Sequence, residues 1–225
     1  MDPDYWQSKW NTDAIGFHQS RVNSRLATYW SEVIAANEGC VFVPLCGKSL
    51  DMLWLHDRGH SILGIELSEK AVTAFFEENG LPHQRRREGD FLEYAGTGSA
   101  KGITLLVGDF FALRAGQLAH VRAFYDRASL IAMSDDLRSR YTVHLRRVLP
   151  LGAHGLLLTI DYPQSQMKGP PFAVPDEIVR ELLGGDFDIQ ELLCESGAER
   201  LGNLKGRGLA SLTERVYRLR RVSAP

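Results

Sequence analysis

Glu66 closes the apolar run Ser61-Ile-Leu-Gly-Ile-Glu66, and Lys48 follows the turn Val43-Pro-Leu-Cys-Gly47. A carboxylate offers only acceptors and a ribose diol can donate twice, so an acid at a strand end suits a nucleoside. Gly47 and Glu66 lie 19 residues apart, near the ~20 of nucleotide-binding folds. The same Glu could equally cap the next helix. The turn holds one glycine and no GxGxxG, so it does not cradle a pyrophosphate, whereas a smaller ligand without phosphate fits. Lys48 invites a phosphate reading, but GxxxxGK[ST] fails because position 42 is Phe. A solvated lysine in a first helical turn is the simpler reading. Asp109 and Phe110 could hold an adenine, the acid by its amino group and the ring by its face. Packing of Phe110 and Phe111 under a loop is the alternative. Asp126-Arg127 is either a surface ion pair or a pair at a ligand.

Several elements must position these residues. Residues 5–37 are expected to be helical, with Val22, Leu26, Tyr29, Trp30, Val33 and Ile34 at three- and four-residue steps. Cys40–Val43 and its neighbour Pro44 read as a buried strand. A helix follows near 49–58, with Gly59 as its stop. Ser61–Glu66 is a second strand, and Ser68 starts another helix with Glu69 just inside it. Further strands fall at 103–107, 121–125 and 155–161, and a long helix lies within 130–149. A short helix spans 176–183, and strands near 187–194 and 213–221 close the chain. The stretch 94–102 is loop-like. Alternation of apolar strands with helices implies an α/β, doubly wound, mostly parallel sheet with an antiparallel edge hairpin. Ligands then bind beyond the carboxyl ends of the strands at the switch point. The residues above sit there.

Composition excludes other classes. The chain has 225 residues, 44% hydrophobic and 24% charged, with 26 Lys+Arg against 28 Asp+Glu. That fits one domain, excludes a disordered chain and argues against a protein built mainly to hold nucleic acid. Cys40, Cys46 and Cys194 match no CxxC spacing and fit reduced cytoplasmic thiols. The start Met1-Asp2-Pro3-Asp4 lacks an apolar signal region, and no run approaches the ~20 residues of a membrane span.

The chain resembles the thiopurine S-methyltransferase family, in its bacterial form. The matching pieces are Trp6-Gln-x-x-Trp10, Gly16-Phe-His-Gln19, Val43-Pro-Leu-Cys-Gly-Lys48, Asp57-Arg-Gly-His60, Gly64-Ile-Glu-Leu-Ser68, Tyr125-Asp-Arg127 and Gly169-Pro-Pro-Phe172 with Val174-Pro175. They run in order over nearly the whole chain. The resemblance implies a class I, Rossmann-like methyltransferase sheet of seven strands and S-adenosylmethionine as cofactor. It implies cofactor contacts from Trp10, Leu45, Glu66, Phe110 and Arg127, and an acceptor site near Phe17, Arg127 and Arg200. Residues 1–37 would form an aromatic lid on one catalytic domain, and a π-face near a sulfonium is favourable.

On this reading the acceptor is a small aromatic or heterocyclic thiol, or a selenium or tellurium species. A thiolate needs alignment more than a base, so no catalytic triad and no metal is expected. Arg127 and Arg200 would favour an anionic acceptor. His18 as a base is less favoured than a structural role. A cytoplasmic monomer without nucleic-acid or membrane partners is expected. Two alternatives stand beside it. One is a nicotinamide-dependent oxidoreductase, against which the missing GxGxxG counts. The other is a nucleic-acid module, since seven Lys/Arg face two Glu from residue 197 onward.

Overall fold

The computed structural model describes residues 3–35 and 38–223; residues 1, 2, 36 and 37 of the expected lid, and 224–225, lie outside the described residues. Nine strands form one sheet in the order β3-β4-β5-β2-β1-β6-β7-β9-β8. They are β1 Cys40–Val43, β2 Ser61–Glu66, β3 His83–Glu88, β4 Phe91–Gly96, β5 Ile103–Val107, β6 Val121–Asp126, β7 His154–Asp161, β8 Phe187–Gly197 and β9 Leu212–Arg221. The helices are α1 Pro3–Asn11, α2 Ser24–Tyr29, α3 Asp51–His56, α4 Glu69–Glu78, α5 Ala115–Leu118, α6 Asp135–Val148 and α7 Asp176–Leu183.

The central ladders β5-β2-β1-β6-β7 are parallel, and β7-β9 and β9-β8 are antiparallel. All seven expected strands are present, with the antiparallel pair at one edge. Beyond them, β3 and β4 form a hairpin that pairs antiparallel onto β5. Residues 94–96 of the expected loop belong to this hairpin, and a short 3-10 turn at Gly98–Ala100 follows. The edge strand β3, His-Gln-Arg-Arg-Arg-Glu, is almost wholly exposed. Charge on an edge strand discourages pairing with another chain.

Alternation within β1 builds the two cores. Cys40 and Phe42 face a cluster with Ile65, Phe124, Tyr141 and Tyr217. Val41 and Val43 face the opposite cluster with Trp30, Met52, Phe75 and Phe76. Gly64 lets the turn after β1 lie on β2, because a Cβ there would stand 2.5 Å from Leu105 and 2.8 Å from the Cys46 sulfur.

The N-terminal segment is not one helix. Its apolar residues pack as expected, but α1 stops at Asn11 and α2 starts only at Ser24. Asn23 takes over the backbone, its side chain accepting the N–H groups of Arg25 and Leu26. An Asn cap favours a new start over a continued helix. Elsewhere the end signals hold. Ser68 accepts the Ala71 N–H as the cap of α4, and Gly59 after α3 has φ +83°.

Trp30 donates its indole N–H to His60 Nε2 at 3.0 Å, and His60 is 1% exposed. That bond requires a neutral imidazole. Burial holds the His60 pKa below its ordinary 6.5, against the pull of the Glu38 and Gly39 carbonyls. The unfolded chain therefore binds the proton more readily. Stability should be full above pH 6.5 and fall as pH drops below it, by up to about 1.4 kcal/mol per pH unit for one such histidine. Urea melts at stepped pH should show that decline, and His60→Gln, which keeps an acceptor for the indole, should make it shallower; His18, His144 and His154 have lowered pKa values as well and keep part of it.

Candidate functional site

Strand order reverses at β1, whose neighbours are β2 and β6. The carboxyl ends of these strands carry the site. After Val43 the chain turns through Leu45 at φ +46° and Gly47 at φ +53°. A non-glycine at positive φ is uncommon, and here the surroundings hold it. The Cys46 N–H donates to the Ile65 carbonyl at 3.0 Å, and the Gly47 N–H donates to Glu66 Oε2 at 2.9 Å. Glu66 Oε1 accepts the Ser68 N–H at 2.9 Å. One carboxylate thus joins two strand ends, and Glu66 does reach the start of the next helix while Ser68 caps it. A carboxylate has about four acceptor positions, so these bonds leave acceptor capacity for a ligand. Glu66 is 6% exposed. Burial raises its pKa, opposed by the N–H groups of Ser68 and Gly47.

Trp10 from α1 covers this turn. It is 4% exposed, and a Cβ on Gly47 would stand 3.1 Å from its Cζ2. Phe17 packs edge-on against Trp10 and Trp6 at 5.5 and 5.4 Å between centroids, while remaining 43% exposed. The segment is tied at two further points. Asp13 pairs with Lys70 of α4 at 2.8 Å, and Asn203 donates to the Gly16 carbonyl at 3.1 Å. The second bond brings Phe17 beside the 3-10 segment Ala198–Leu204, which carries Arg200.

Asp126 and Arg127 do not pair with each other. Asp126, 1% exposed, accepts the Tyr141 hydroxyl at 2.7 Å and the Ser129 N–H at 3.0 Å. Arg127 turns the other way and sets Nε 3.1 Å from Asp51 Oδ2. The surface ion pair considered from sequence is therefore wrong, because adjacent strand residues face opposite ways. Asp51 escaped sequence reasoning altogether. Its only signal is an acid in the first turn of the helix after the Leu45–Lys48 turn.

Three other expectations change. Lys48 is committed to Glu78 at 2.6 Å, so it is neither free for phosphate nor simply solvated. The Phe110 ring is buried against Tyr141 and His144, with centroids 4.8 and 5.1 Å apart. It cannot offer its face to an adenine, because a 3-10 turn at Phe110–Ala112 points it into the core. Only its backbone remains at the end of β5. Arg200 binds Glu195 at 2.5 Å, and Arg25 of α2 reaches the same oxygen at 2.6 Å. The Arg200 Nε is buried without a hydrogen-bond partner. His18 has a lowered pKa, from burial first and then from Lys48.

A cleft of about 620 Å³, lined by Ser31, Glu38, Arg122 and His154, opens at the amino-terminal ends of β1, β6 and β7. It lies across the sheet from Glu66 and shares none of these residues. In an open α/β sheet the carboxyl ends carry the chemistry, whatever the size of other clefts. Among the described residues, no group of His, Cys, Asp and Glu is placed to hold a metal ion.

The chain is similar to known proteins in both sequence and fold. A thiopurine S-methyltransferase profile matches residues 1–222. A thiopurine S-methyltransferase of Pseudomonas fluorescens is 47% identical, covering 100% of this chain and 99% of that protein. Its counterpart from Pseudomonas paraeruginosa is 49% identical, covering 98% and 100%. Among solved structures, the Burkholderia thailandensis 1,6-didemethyltoxoflavin-N1-methyltransferase with bound S-adenosylhomocysteine superposes with a TM-score of 0.65 at 12% identity, over 98% of this chain and 87% of that one. A SAM-dependent methyltransferase from Methanosarcina mazei gives 0.61 at 14% identity, over 90% and 99%. The structural likenesses speak for the fold, and the sequence matches over the full length say more: this chain belongs to the thiopurine S-methyltransferase family.

Proposed function

We propose that the protein methylates the sulfur of small aromatic or heterocyclic thiols, thiopurines included, with S-adenosylmethionine as methyl donor, and that reduced selenium or tellurium species are further acceptors. The observation that carries this reading is Glu66, a buried carboxylate at the switch point with acceptor capacity to spare, bonded to the Gly47 turn that the Trp10 indole covers. The donor set fits a nucleoside that lacks phosphate. No glycine-rich cradle is present, and the nearby Lys48 is paired with Glu78. When bound, S-adenosylmethionine supplies a methyl group activated by its sulfonium.

The chain's own residues bind and orient. Glu66 holds the ribose hydroxyls, Leu45 shapes the turn beneath them, and the backbone at Phe110 meets the adenine. Trp10 offers its π-face to the sulfonium. Residues 1–37 act as a lid on a single catalytic domain and exclude water. Phe17 packs on the acceptor, and Arg127 and Arg200 hold its negative charge. A thiolate is already a strong nucleophile, so alignment is the main requirement and no side chain need take a proton. The enzyme works as a cytoplasmic monomer. No helix among the described residues is long and apolar enough to cross a membrane.

Neither alternative gains support. A dinucleotide lacks its glycine turn. Several of the basic residues after 197 are engaged within the chain, Arg200 with Glu195, Arg215 with Glu191 and Arg207 with the Pro170 carbonyl. Calorimetry should show binding of S-adenosylhomocysteine and not of NAD, and binding of NAD alone would overturn the proposal. Radiolabelled methyl transfer across thiols, selenols and chalcogen anions identifies the acceptor. Arg127→Ala and Arg200→Ala should each lower kcat/KM for an ionised thiol by roughly ten- to a hundredfold, the worth of one charge-assisted hydrogen bond. Wild-type kinetics in both, and in the Lys variants, would remove that role.

A further inference from the structure

We propose that Asp51 is a positioning residue, fixing the guanidinium of Arg127 in its working orientation and tying that orientation to the docked N-terminal segment. The inference rests on the reading of Arg127 as an acceptor-site residue.

The Asp51 carboxylate is 1% exposed and engaged on both oxygens. Oδ2 lies 3.1 Å from Arg127 Nε and accepts the Tyr125 hydroxyl at 3.1 Å. Oδ1 accepts the backbone N–H of Asn23 at 2.8 Å. Arg127 Nη2 stands 3.5 Å from Ser49 Oγ, and the same Oγ accepts the Asp51 N–H at 3.2 Å. Three stretches of chain therefore meet on one carboxylate: the start of α3 just after the turn, the end of β6, and the residue that caps α2.

A guanidinium is a planar fork with five N–H donors. A partner on Nε fixes the plane from its inner edge, Ser49 meets Nη2 at 3.5 Å, and the rest of the fork is left to address a ligand. The Arg127 side chain keeps 19% exposure, so part of it faces outward. Without Asp51 the side chain regains its rotamers, and the direction of those donors is lost. The Asn23 bond adds the second half. Asn23 ends the stretch that runs from Phe17 to α2, so the carboxylate that aims Arg127 also anchors the return of the lid.

The sign of the effect separates positioning from charge. Asp51 is negative, and neutralising it would by charge alone strengthen the pull of Arg127 on an anion. Positioning demands the opposite. Asp51→Asn should lower kcat/KM for an ionised thiol about tenfold or more, the loss expected of one misplaced charged hydrogen bond. Affinity for S-adenosylhomocysteine, by calorimetry, should change less than about threefold, well inside one such bond. Asp51→Ser serves the same comparison where the amide variant is insoluble. Asp51→Ala removes the Asn23 acceptor as well and should also speed protease cleavage within residues 12–22. In an Arg127→Ala background, Asp51→Asn should cause almost no further kinetic loss, since the two act as a unit. A purely structural role would give additive losses and a lowered Tm in both backgrounds.

Two failures can be told apart. If Arg127→Ala alone leaves thiol kinetics intact, the acceptor-site reading of Arg127 falls. If Arg127→Ala is damaging while Asp51→Asn keeps or raises kcat/KM, the reading of Arg127 stands and this inference is overturned.

Discussion

Glu66→Ala raises the dissociation constant for S-adenosylhomocysteine by at least about a hundredfold. Two ribose hydroxyls on a charged acceptor contribute about 1.5–3 kcal/mol each, and 1.4 kcal/mol is a factor of ten. The alanine also leaves the Gly47 N–H without its acceptor, so the turn that shapes the pocket loses its pin. Stability should move far less than affinity. The raised pKa means that folding disfavours the ionised form, so removing the carboxylate recovers part of what the orphaned N–H groups cost. The same raised pKa sets a pH dependence for the intact protein. A protonated Glu66 has fewer acceptors, so affinity should fall as pH drops, and it should begin to fall above the ordinary carboxylate value of 4.5. Calorimetry of wild type and Glu66→Ala from pH 5 to pH 8 checks both claims, about the range in which buried carboxylates titrate. A Glu66→Ala protein with wild-type affinity would sink the ribose assignment.

Trp10→Ala releases the N-terminal segment without unfolding the sheet. Removing a buried indole costs about 3–5 kcal/mol. The remaining ties of the stretch before Asn23 are weaker, and the Asn23 bond to Asp51 marks where the released segment stays fixed. Lys70–Asp13 is an exposed ion pair, of the kind that contributes ~1 kcal/mol or less, and Asn203 to Gly16 is a single hydrogen bond of similar worth. The loss exceeds what is left, so the segment detaches rather than drawing the domain down with it. Cleavage by a protease within residues 12–22 should become fast, while the main thermal transition shifts little. Affinity for S-adenosylhomocysteine should drop about tenfold or more, because only the minor docked population binds fully. Retained protease resistance together with wild-type affinity would show that Trp10 is no lid residue.

What the sequence disclosed follows from burial. The seven strands of the family sheet are apolar runs flanked by turn residues, and they fall where periodicity puts them. β3 and β4 were not legible. β3 is an edge strand whose side chains are solvated, so it carries no alternation, and only its pairing with β4 makes it a strand. The break in the N-terminal helix was hidden for a different reason. Apolar spacing records which residues touch the core, and Leu26 and Trp30 do, but it does not record that Asn23 has taken the backbone N–H groups.

At the site the pattern repeats. Glu66 and the Leu45–Lys48 turn were visible because strand ends are fixed by topology. The sequence left two readings of the Phe110 ring open, because a 3-10 turn has no period from which to read a direction, and the ring took the packed one. Asp51 could not be found at all. Its meaning comes from Arg127 and Asn23, which are remote in the chain and meet it only after folding.

The sheet's order also governs when the molecule can be completed. Among the described residues β9 is the last strand in sequence but not the last in the sheet: it is inserted between β7 and β8. As synthesis proceeds from the amino terminus, β7 and β8 emerge with no partner in each other, and both wait with open backbone until residues 212–221 arrive to join them. The nascent protein therefore passes through a stage in which most of the cofactor-side strand ends are formed while one flank of the sheet is adhesive. Residues 212–221 close that flank, because among the described strands they pair with both β7 and β8.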